Sequence, residues 1–267
     1  MVGRLSNKVA IVTGAGSSGP GLGNGKATAI LFAREGAQVL CVDRELARAE
    51  ETVAIIAGEG GQASAFGANV TRRADCSAMV ARSVELYGGL NVLHNNVGVV
   101  SFGTLAEIDE DDWDRLMAVN VKSALLSAQA AMPALIEAGG GSIINVASTS
   151  GLRYAGPALT AYTTSKAGII GLTLASAGQL GAKRIRVNAI APGLVYTPLV
   201  AGTLTPEART QRQAAGLIPD EGTAWDVAWA AVFLASDESR WITGQVLAVD
   251  AGLTITTRDI GLGSSEP

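Results

Sequence analysis

The sequence predicts an α/β fold, a single doubly wound parallel sheet of Rossmann type with helices on both faces. Short, β-branched apolar runs alternate with helical patterns along all 267 residues, which is typical of strands buried on both faces. The first strand–helix–strand unit encloses a long glycine-rich loop. No linker, repeat or low-complexity segment interrupts the alternation. We therefore expect one Rossmann-type domain over residues 1–267.

The predicted elements alternate strictly, and glycines end several of the helices, such as Gly36 and Gly139. We predict strands at 8–13, 38–43, 63–68, 91–95, 142–147, 186–191 and 245–250. We predict helices at 26–34, 46–57, 73–87, 111–120, 121–138, 160–181 and 225–235. The segment 194–221 lacks strong periodicity, so it is expected to form a long loop or short helices. It falls in a predicted substrate-binding loop region at 192–222, and a polar C-terminal tail covers 254–267.

Composition excludes several classes of function. The net charge of −4 and the lack of a basic run argue against nucleic acid as a partner. Cys41, Cys76 and His94 are the only residues of their types, so we expect no metal site, and a Ser-His-Asp triad would have to use His94. We predict that His94 is a hydrogen-bonded core residue and that Trp225, Trp229 and Trp241 pack.

The location of the protein is also predicted from the sequence. Two cysteines in a chain of this size indicate reduced, buried thiols of an intracellular protein. No signal-peptide or membrane-spanning run is present in the sequence. We therefore expect a cytoplasmic protein with no membrane partner.

The loop Gly14–Gly25 lies between a buried strand and a helix, which favours binding of a dinucleotide. Glycines let the backbone approach a pyrophosphate, and the helix N-terminus offers free N–H groups. Asp43 ends the second strand, where a carboxylate can accept hydrogen bonds from the adenosine ribose and repel a 2′-phosphate. Asp43 could instead cap the following helix, and the two roles are compatible. Arg44 could meet a 2′-phosphate, so NAD is favoured and NADP stays the alternative.

A tyrosine and a lysine one helical turn apart form the candidate catalytic centre. Tyr162 and Lys166 share a helix face, and Ser148 ends the preceding strand across a loop. Such a trio suits protonation of an oxygen that gains charge, as when hydride adds to a carbonyl. A nearby cation favours the phenolate and so lowers the tyrosine pKa. The alternative is an ordinary surface tyrosine and lysine, because this spacing alone is common.

From about Lys8 to Gly252 the chain resembles the short-chain dehydrogenase/reductase family. The motifs follow the family order: Thr13-Gly14 with its glycine loop, Asn95-Asn96-Val97-Gly98, Asn120, Ser148, Tyr162, Lys166, and Pro192-Gly193 followed by Thr197. Any one of these motifs is weak evidence. Together, at the family's order and spacing, they are very hard to obtain by chance.

The resemblance implies a role for each matched residue. Tyr162 would be the general acid in reduction and the base in oxidation, and Ser148 would hydrogen-bond the substrate oxygen. Lys166 would lower the Tyr162 pKa and hold the nicotinamide ribose, while Asn120 would fix a water that relays protons to Lys166. Thr197 would bind the carboxamide. The implied cofactor-binding set is Gly14, Ser17, Gly23, Asn24, Gly25, Asp43, Asn69, Val70, Asn96, Val97, Gly98, Tyr162, Lys166, Pro192, Gly193, Val195 and Thr197.

Three positions depart from the family pattern. The glycine loop is five residues longer than the usual Gly-x-x-x-Gly-x-Gly, and the best register pairs Gly14 with Gly23-Asn24-Gly25. Asn69-Val70 replaces the usual Asp-Val beside the adenine, and Val97 replaces Ala. None of these changes removes a catalytic group.

The predicted function is hydride transfer between NAD(H) and a secondary alcohol or ketone of small or medium size. The alternatives are an NADP-dependent 3-oxoacyl-thioester reductase and a non-catalytic dinucleotide-binding protein. The segments 149–159 and 194–221 would line the substrate pocket without a diagnostic charge cluster, although Arg153 and Tyr154 could lie near the substrate. Val195, Tyr196, Leu199, Leu204 and Leu217 hint at an apolar or aromatic substrate. Helices rich in small residues and the family resemblance together suggest a homotetramer or a dimer.

Overall fold

A computed structural model describes residues 3–156, 158–202 and 204–256 of the chain. Within these residues, seven parallel strands form one sheet in the order β3-β2-β1-β4-β5-β6-β7. The strands are β1 (Val9–Thr13), β2 (Gln38–Asp43), β3 (Gln62–Gly67), β4 (Val92–Asn95), β5 (Gly141–Val146), β6 (Ile185–Pro192) and β7 (Val246–Val249). The predicted Rossmann-type fold class is confirmed.

The helices occupy the predicted connections between strands. They are α1 (Asn24–Arg34), α2 (Leu46–Gly58), α3 (Arg73–Tyr87), α4 (Glu110–Met117), α5 (Ser123–Glu137), α6 (Thr160–Leu180), α7 (Pro198–Ala201), α8 (Pro206–Gln213) and α9 (Ala224–Ala235). A π-helical turn, Ala118–Lys122, joins α4 to α5, where the sequence predicted two adjoining helices. The segment 194–221 contains two short helices, as expected. Residues 257–267 of the predicted tail lie outside the described residues.

Two apolar layers cover the two faces of the sheet. Along β1, Ala10 and Val12 pack with α1 and α9, while Ile11 between them packs with α3 and α5 on the other face. All five residues of β1 are buried, because a parallel strand with helices on both sides has no solvent face. No helix in the described part of the chain combines the length and apolar character needed to cross a bilayer.

The strand order reverses direction between β1 and β4, and this reversal positions the site. β1 pairs with β2 on one side and with β4 on the other. The chain connections therefore leave in opposite directions from these two neighbours, opening a crevice at their carboxyl ends. Ligands of doubly wound folds bind in such a crevice.

Two predictions about single side chains are wrong. His94 is fully buried in β4 beside the edge of Phe32, but neither ring nitrogen has a hydrogen-bond partner among the described residues. Trp241 was expected to pack, yet 91% of its surface is exposed, and Trp229 is half exposed. Trp225 does pack, with the Arg34 guanidinium 4.8 Å from its ring centre. Both cysteines are free and buried, as predicted.

Candidate active site

A cleft of about 1120 Å³ runs along the carboxyl ends of the strands, from Asp43 after β2 to Tyr162 on α6. Every residue predicted to bind cofactor or take part in catalysis lines it, with the exception of Asn120. The parallel register explains this convergence, because successive strands deliver their last residues to the same edge. In the described residues, no group of three or more His, Cys, Asp or Glu side chains could hold a metal ion.

The lengthened glycine loop folds back on itself before α1 begins. Ser17 Oγ accepts the backbone N–H of Gly23 at 2.9 Å, so the five extra residues close into a small excursion. Gly21, within this excursion, has a left-handed backbone with φ of 111°. It lies beside Pro198 at the start of α7, since a Cβ added at Gly21 would be 3.5 Å from the Pro198 ring. The insertion thereby leaves Gly23, Asn24 and Gly25 at the first turn of α1, in the predicted register.

The N-terminus of α1 is open toward the cleft. Its N-cap residue, Gly23, provides no side-chain cap, and the first turn holds no acidic residue. A side chain at Gly25 could not be accommodated, because an added Cβ would lie 2.0 Å from the Gly14 carbonyl oxygen. Asn96 Nδ2 donates to the same carbonyl at 3.1 Å and so ties the end of β4 to the loop. Free N–H groups and a close backbone approach suit an anionic ligand.

Asp43 faces the glycine loop from the end of β2. One carboxylate oxygen accepts the Gly16 N–H and the other accepts the Glu45 N–H, each at 3.1 Å. The first residue of α2 is Leu46 and its N-cap is Glu45, so Asp43 stabilises the turn without being the helix cap. Glu45 pairs with Arg48 at 3.0 Å and with Arg44 at 3.8 Å. Glu45 therefore contacts both guanidinium groups, and together with Asp43 it matches their two positive charges at this end of the cleft.

Asn69 and Val70 follow β3 and close the same end. The Asn69 side-chain oxygen accepts the backbone N–H and the hydroxyl of Thr71, at 3.1 and 2.8 Å. Its Nδ2 has no partner among the described residues and lines the cleft. The substitution of Asn for the usual Asp therefore adds a side-chain N–H donor at this position, because an ionised carboxylate can only accept hydrogen bonds.

Tyr162, Ser148 and Lys166 converge at the other end of the cleft. Ser148 is the N-cap of the short turn Thr149–Gly151, and its Oγ accepts the Ser150 N–H at 3.1 Å. Lys166 Nζ donates to the Val146 carbonyl at 2.9 Å and lies 5.7 Å from the Tyr162 ring centre. An added Cβ at Gly98 would lie 3.1 Å from that nitrogen, so any larger residue there would crowd the ammonium.

The protonation of these groups differs from the sequence-based expectation. Burial raises the pKa of the Tyr162 phenol, and its hydrogen bond with Ser148 only partly opposes this. Burial also lowers the pKa of Lys166, from 10.5 to about 8. The expected lowering of the Tyr162 pKa by Lys166 is not found, because the cost of desolvating the charged form is the largest cause of the shift in both groups.

Asn120 lies behind the cleft and not in its wall. It is buried in the π-turn between α4 and α5. Its Oδ1 accepts the Val99 N–H at 2.8 Å, while Nδ2 donates to the Val99 carbonyl and to Ser165 Oγ, both at 2.9 Å. Both side-chain N–H groups and one lone pair of Oδ1 thus hold the strand-end loop against α6. Because Oδ1 accepts only one of the two hydrogen bonds it can take, the relay water expected at Asn120 stays a prediction.

The residues after β6 form the remaining wall. Gly193 donates its N–H to the Val249 carbonyl at 2.9 Å, and an added Cβ would lie 2.6 Å from the Asp250 Cβ. Val195 and Thr197 are buried and line the cleft. Thr197 is the N-cap residue of α7, yet its hydroxyl makes no capping bond. That hydroxyl is therefore free to bind a ligand.

The sequence analysis expected Arg153 near the substrate end of the cleft but did not identify Arg115 and Arg212. Arg115, Arg153 and Arg212 all line the cleft there, with exposed apolar groups such as Phe102 and Tyr154 around them. Arg212 was overlooked because the segment holding it has no apolar periodicity. Conversely, Tyr196 and Leu204, expected in the substrate pocket, line a separate small depression with Arg209.

Comparisons with known proteins agree with this geometry. A family model described as enoyl-(acyl carrier protein) reductase matches residues 21–254. The 3-oxoacyl-(acyl-carrier-protein) reductase FabG of Thermotoga maritima is 39% identical over 94% of this chain and 100% of its own. The 2-(S)-hydroxypropyl-CoM dehydrogenase 3 of Xanthobacter autotrophicus is 37% identical over 95% and 99%. A crystal structure from Burkholderia xenovorans, described as a short-chain dehydrogenase/reductase, superposes with a TM-score of 0.91 at 41% identity, covering 96% of this chain and 100% of that one.

Proposed function

The chain belongs to the short-chain dehydrogenase/reductase family, and on that premise we propose that it transfers a hydride between NAD(H) and a secondary alcohol or ketone. The observation that carries the proposal is the convergence of Ser148, Tyr162 and Lys166 in one cleft with the open N-terminus of α1. A dinucleotide fits the residues present, because the uncapped first turn of α1 carries no acidic side chain and lines the same cleft as Asp43 and Tyr162.

Bound NAD(H) would supply or accept the hydride, and the side chains handle the proton and the geometry. Tyr162 donates its hydroxyl proton to the carbonyl oxygen during reduction and takes it back during oxidation. The raised pKa keeps this phenol protonated near neutral pH, which favours its role as an acid. Ser148 holds the substrate oxygen, and Lys166 keeps the two Nζ protons not used by Val146 for the nicotinamide ribose.

The preference for NAD over NADP rests on the charges around Asp43. Its carboxylate lies beside the glycine loop, where it would accept ribose hydroxyls and repel a 2′-phosphate. Arg44 and Arg48 could attract such a phosphate, but both share Glu45. Asp43 and Glu45 together match the charges of Arg44 and Arg48, so the ribose end carries no net positive charge and the Asp43 carboxylate faces the loop. We therefore assign NAD as the cofactor.

A second candidate is an NADP-dependent 3-oxoacyl-thioester reductase. The similarity to the Thermotoga FabG and the match to the reductase family model favour it. Titration with NADH and NADPH, followed by cofactor fluorescence, separates the two. Tight NADH and weak NADPH binding supports the first proposal, whereas the reverse order favours the reductase.

The catalytic assignment is tested with a pair of tyrosine variants. Tyr162→Phe should lower kcat by about 10² to 10⁴-fold, the usual contribution of general acid–base catalysis, with cofactor binding unchanged. Tyr196→Phe is the control, because that ring stacks with Arg209 outside the cleft. Near-normal turnover by Tyr162→Phe would contradict the assignment of Tyr162 as the general acid and base.

We also propose that the protein assembles as a homotetramer, or as a dimer. Exposed apolar side chains on several helices and loops support this, including Leu125, Leu174, Trp229 and Trp241. Burying a side chain of this size typically contributes about 1.5–3 kcal/mol. Light scattering on Trp241→Ser beside the natural protein tests the idea, and a natural protein that runs as a monomer contradicts it.

A further inference from the structure

Charge is divided unevenly along the cleft. The only carboxylates among its described lining residues, Asp43 and Glu45, lie at the end formed by β2. Arg115, Arg153 and Arg212 also line the cleft. Arg153 follows Ser148 in the chain and binds the Leu253 carbonyl, and the segment just after Arg212 contacts Ala251 and Gly252 beside it. We therefore place these arginines at the opposite end, with Ser148 and Tyr162, where no lining carboxylate accompanies them. A ligand group that enters this end therefore meets positive charge.

Two of the three arginines are already engaged. Arg115 pairs with Asp112 on the same helix, α4. Arg153 donates to the Leu253 carbonyl and lies 3.5 Å from the Thr256 hydroxyl. Both are exposed, so these contacts fix their positions without removing them from water.

Arg212 differs from the other two. It lies on α8 one turn after Arg209, which makes two hydrogen bonds to Glu221, at 2.7 and 2.5 Å, and stacks 3.8 Å above the Tyr196 ring. Arg212 is partly buried, and burial lowers its pKa while attraction to Glu221 opposes this. No hydrogen bond or ion pair holds its guanidinium among the described residues. A half-desolvated cation is left at the substrate end of the cleft.

We propose that Arg212 binds an anionic group of the substrate, most simply a carboxylate, at a distance from the carbonyl that Tyr162 protonates. The planar guanidinium can bind a carboxylate through two parallel hydrogen bonds. Leu159, Leu199 and Val200 line the same cleft, so the substrate is a keto or hydroxy acid with an apolar spacer. This inference rests on the proposed function and narrows its substrate class.

The test uses matched acids and esters. The probes are 4-oxopentanoate, 5-oxohexanoate, 6-oxoheptanoate and 4-acetylbenzoate, each with its methyl ester, reduced with NADH. At least one acid should exceed its ester in kcat/KM by about tenfold or more. Arg212→Gln should lower kcat/KM for that acid by about 10- to 100-fold, as expected for hydrogen bonds to a charged group, and leave its ester within about twofold.

Two further variants control for charge and geometry. Arg82→Gln removes the same charge from the surface of α3, where Arg82 pairs with Glu85, and should leave both substrates unchanged. Arg212→Lys keeps the charge but loses the planar fork, so it should restore part of the preference for the acid. Equal effects of Arg212→Gln on acid and ester would overturn the inference while leaving hydride transfer intact.

A binding measurement separates this inference from the proposed function. Calorimetry of each acid against the protein saturated with NAD⁺ needs no turnover. Binding that Arg212→Gln abolishes supports the inference even if no ketone is reduced, in which case only the proposed function fails. The inference fails if none of the acids binds, or if Arg212→Gln weakens NADH binding itself, since the arginine would then serve the cofactor.

Discussion

The isolated position of His94 leads to a prediction about stability in acid. Its imidazole is fully buried and neither nitrogen has a partner among the described residues. Burial lowers the pKa of His94 from 6.5 to about 3. The folded protein therefore holds this group neutral, whereas the unfolded chain takes up a proton below pH 6.5. The resulting stabilisation is present above pH 6.5 and is lost as the pH falls toward 3.

The size of the effect follows from these two pKa values. Each pKa unit corresponds to about 1.4 kcal/mol, so the full difference is about 5 kcal/mol. Between pH 7 and pH 4.5 the linkage equation gives a loss of about 2.5 kcal/mol from this one residue. That is a large share of the 5–15 kcal/mol by which domains are typically stable.

Urea unfolding at pH 7 and pH 4.5 measures the loss. The natural protein should lose about 2.5 kcal/mol more than His94→Leu, because the variant lacks the group that takes up the proton. The histidine is the only one in the chain, so NMR of untagged protein follows one imidazole, which should titrate near pH 6.5 only in urea. Titration near pH 6 in the folded protein, or equal losses in both proteins, would refute the reasoning.

Three further results are expected. Gly25→Ala should weaken NADH binding more than about tenfold, because its Cβ would lie 2.0 Å from the Gly14 oxygen. Gly58→Ala, whose Cβ meets nothing within 4 Å, is the matched control, and equal affinities in the two variants contradict the loop geometry. Lys166→Met should abolish turnover yet raise the thermal midpoint at pH 7. Burial lowers the pKa of this amine from 10.5 to about 8, so holding the ammonium costs the folded protein about 3 kcal/mol below pH 8, and this cost fades as the pH rises to 10.5. Loss of the hydrogen bond to the Val146 carbonyl offsets about 1 kcal/mol of the gain in stability. A lower thermal midpoint contradicts this prediction. The Cys41 thiol, its pKa raised to about 12 by burial, should react with a disulfide reagent only as the protein unfolds, and rapid labelling of native protein at pH 8 would show otherwise.

The sequence predicted the sheet well because its signals are local. The run Val9–Thr13 is apolar on both faces, and glycines end neighbouring helices, so each element could be placed from its own residues. Spacing alone put Tyr162 and Lys166 on one helix face, and the structure places Ser148 in the same cleft. These predictions needed no knowledge of long-range packing.

What could not be predicted depends on contacts between distant segments. Trp241 is exposed because nothing in the rest of the described chain covers it, which composition cannot reveal. The missing partners of His94 depend on which groups surround β4 from both helical layers. Arg212 enters the cleft through the placement of α8, and its neighbour Arg209 takes the nearby Glu221. No pattern in the segment 194–221 distinguishes these two arginines.

The π-turn at Ala118–Lys122 requires a fixed number of residues between α4 and α5, and it constrains this number more strictly than it constrains which residues occupy the turn. Each residue of an α-helix turns the chain by about 100°, and a π-turn holds one residue more than an α-helical turn. Loss of one residue would rotate Leu126 and Leu135 of α5 away from the core, or turn Asn120 away from Val99. Related genes should therefore vary at Ala118 and Val119 by substitution while carrying no insertion or deletion between Met117 and Ser123.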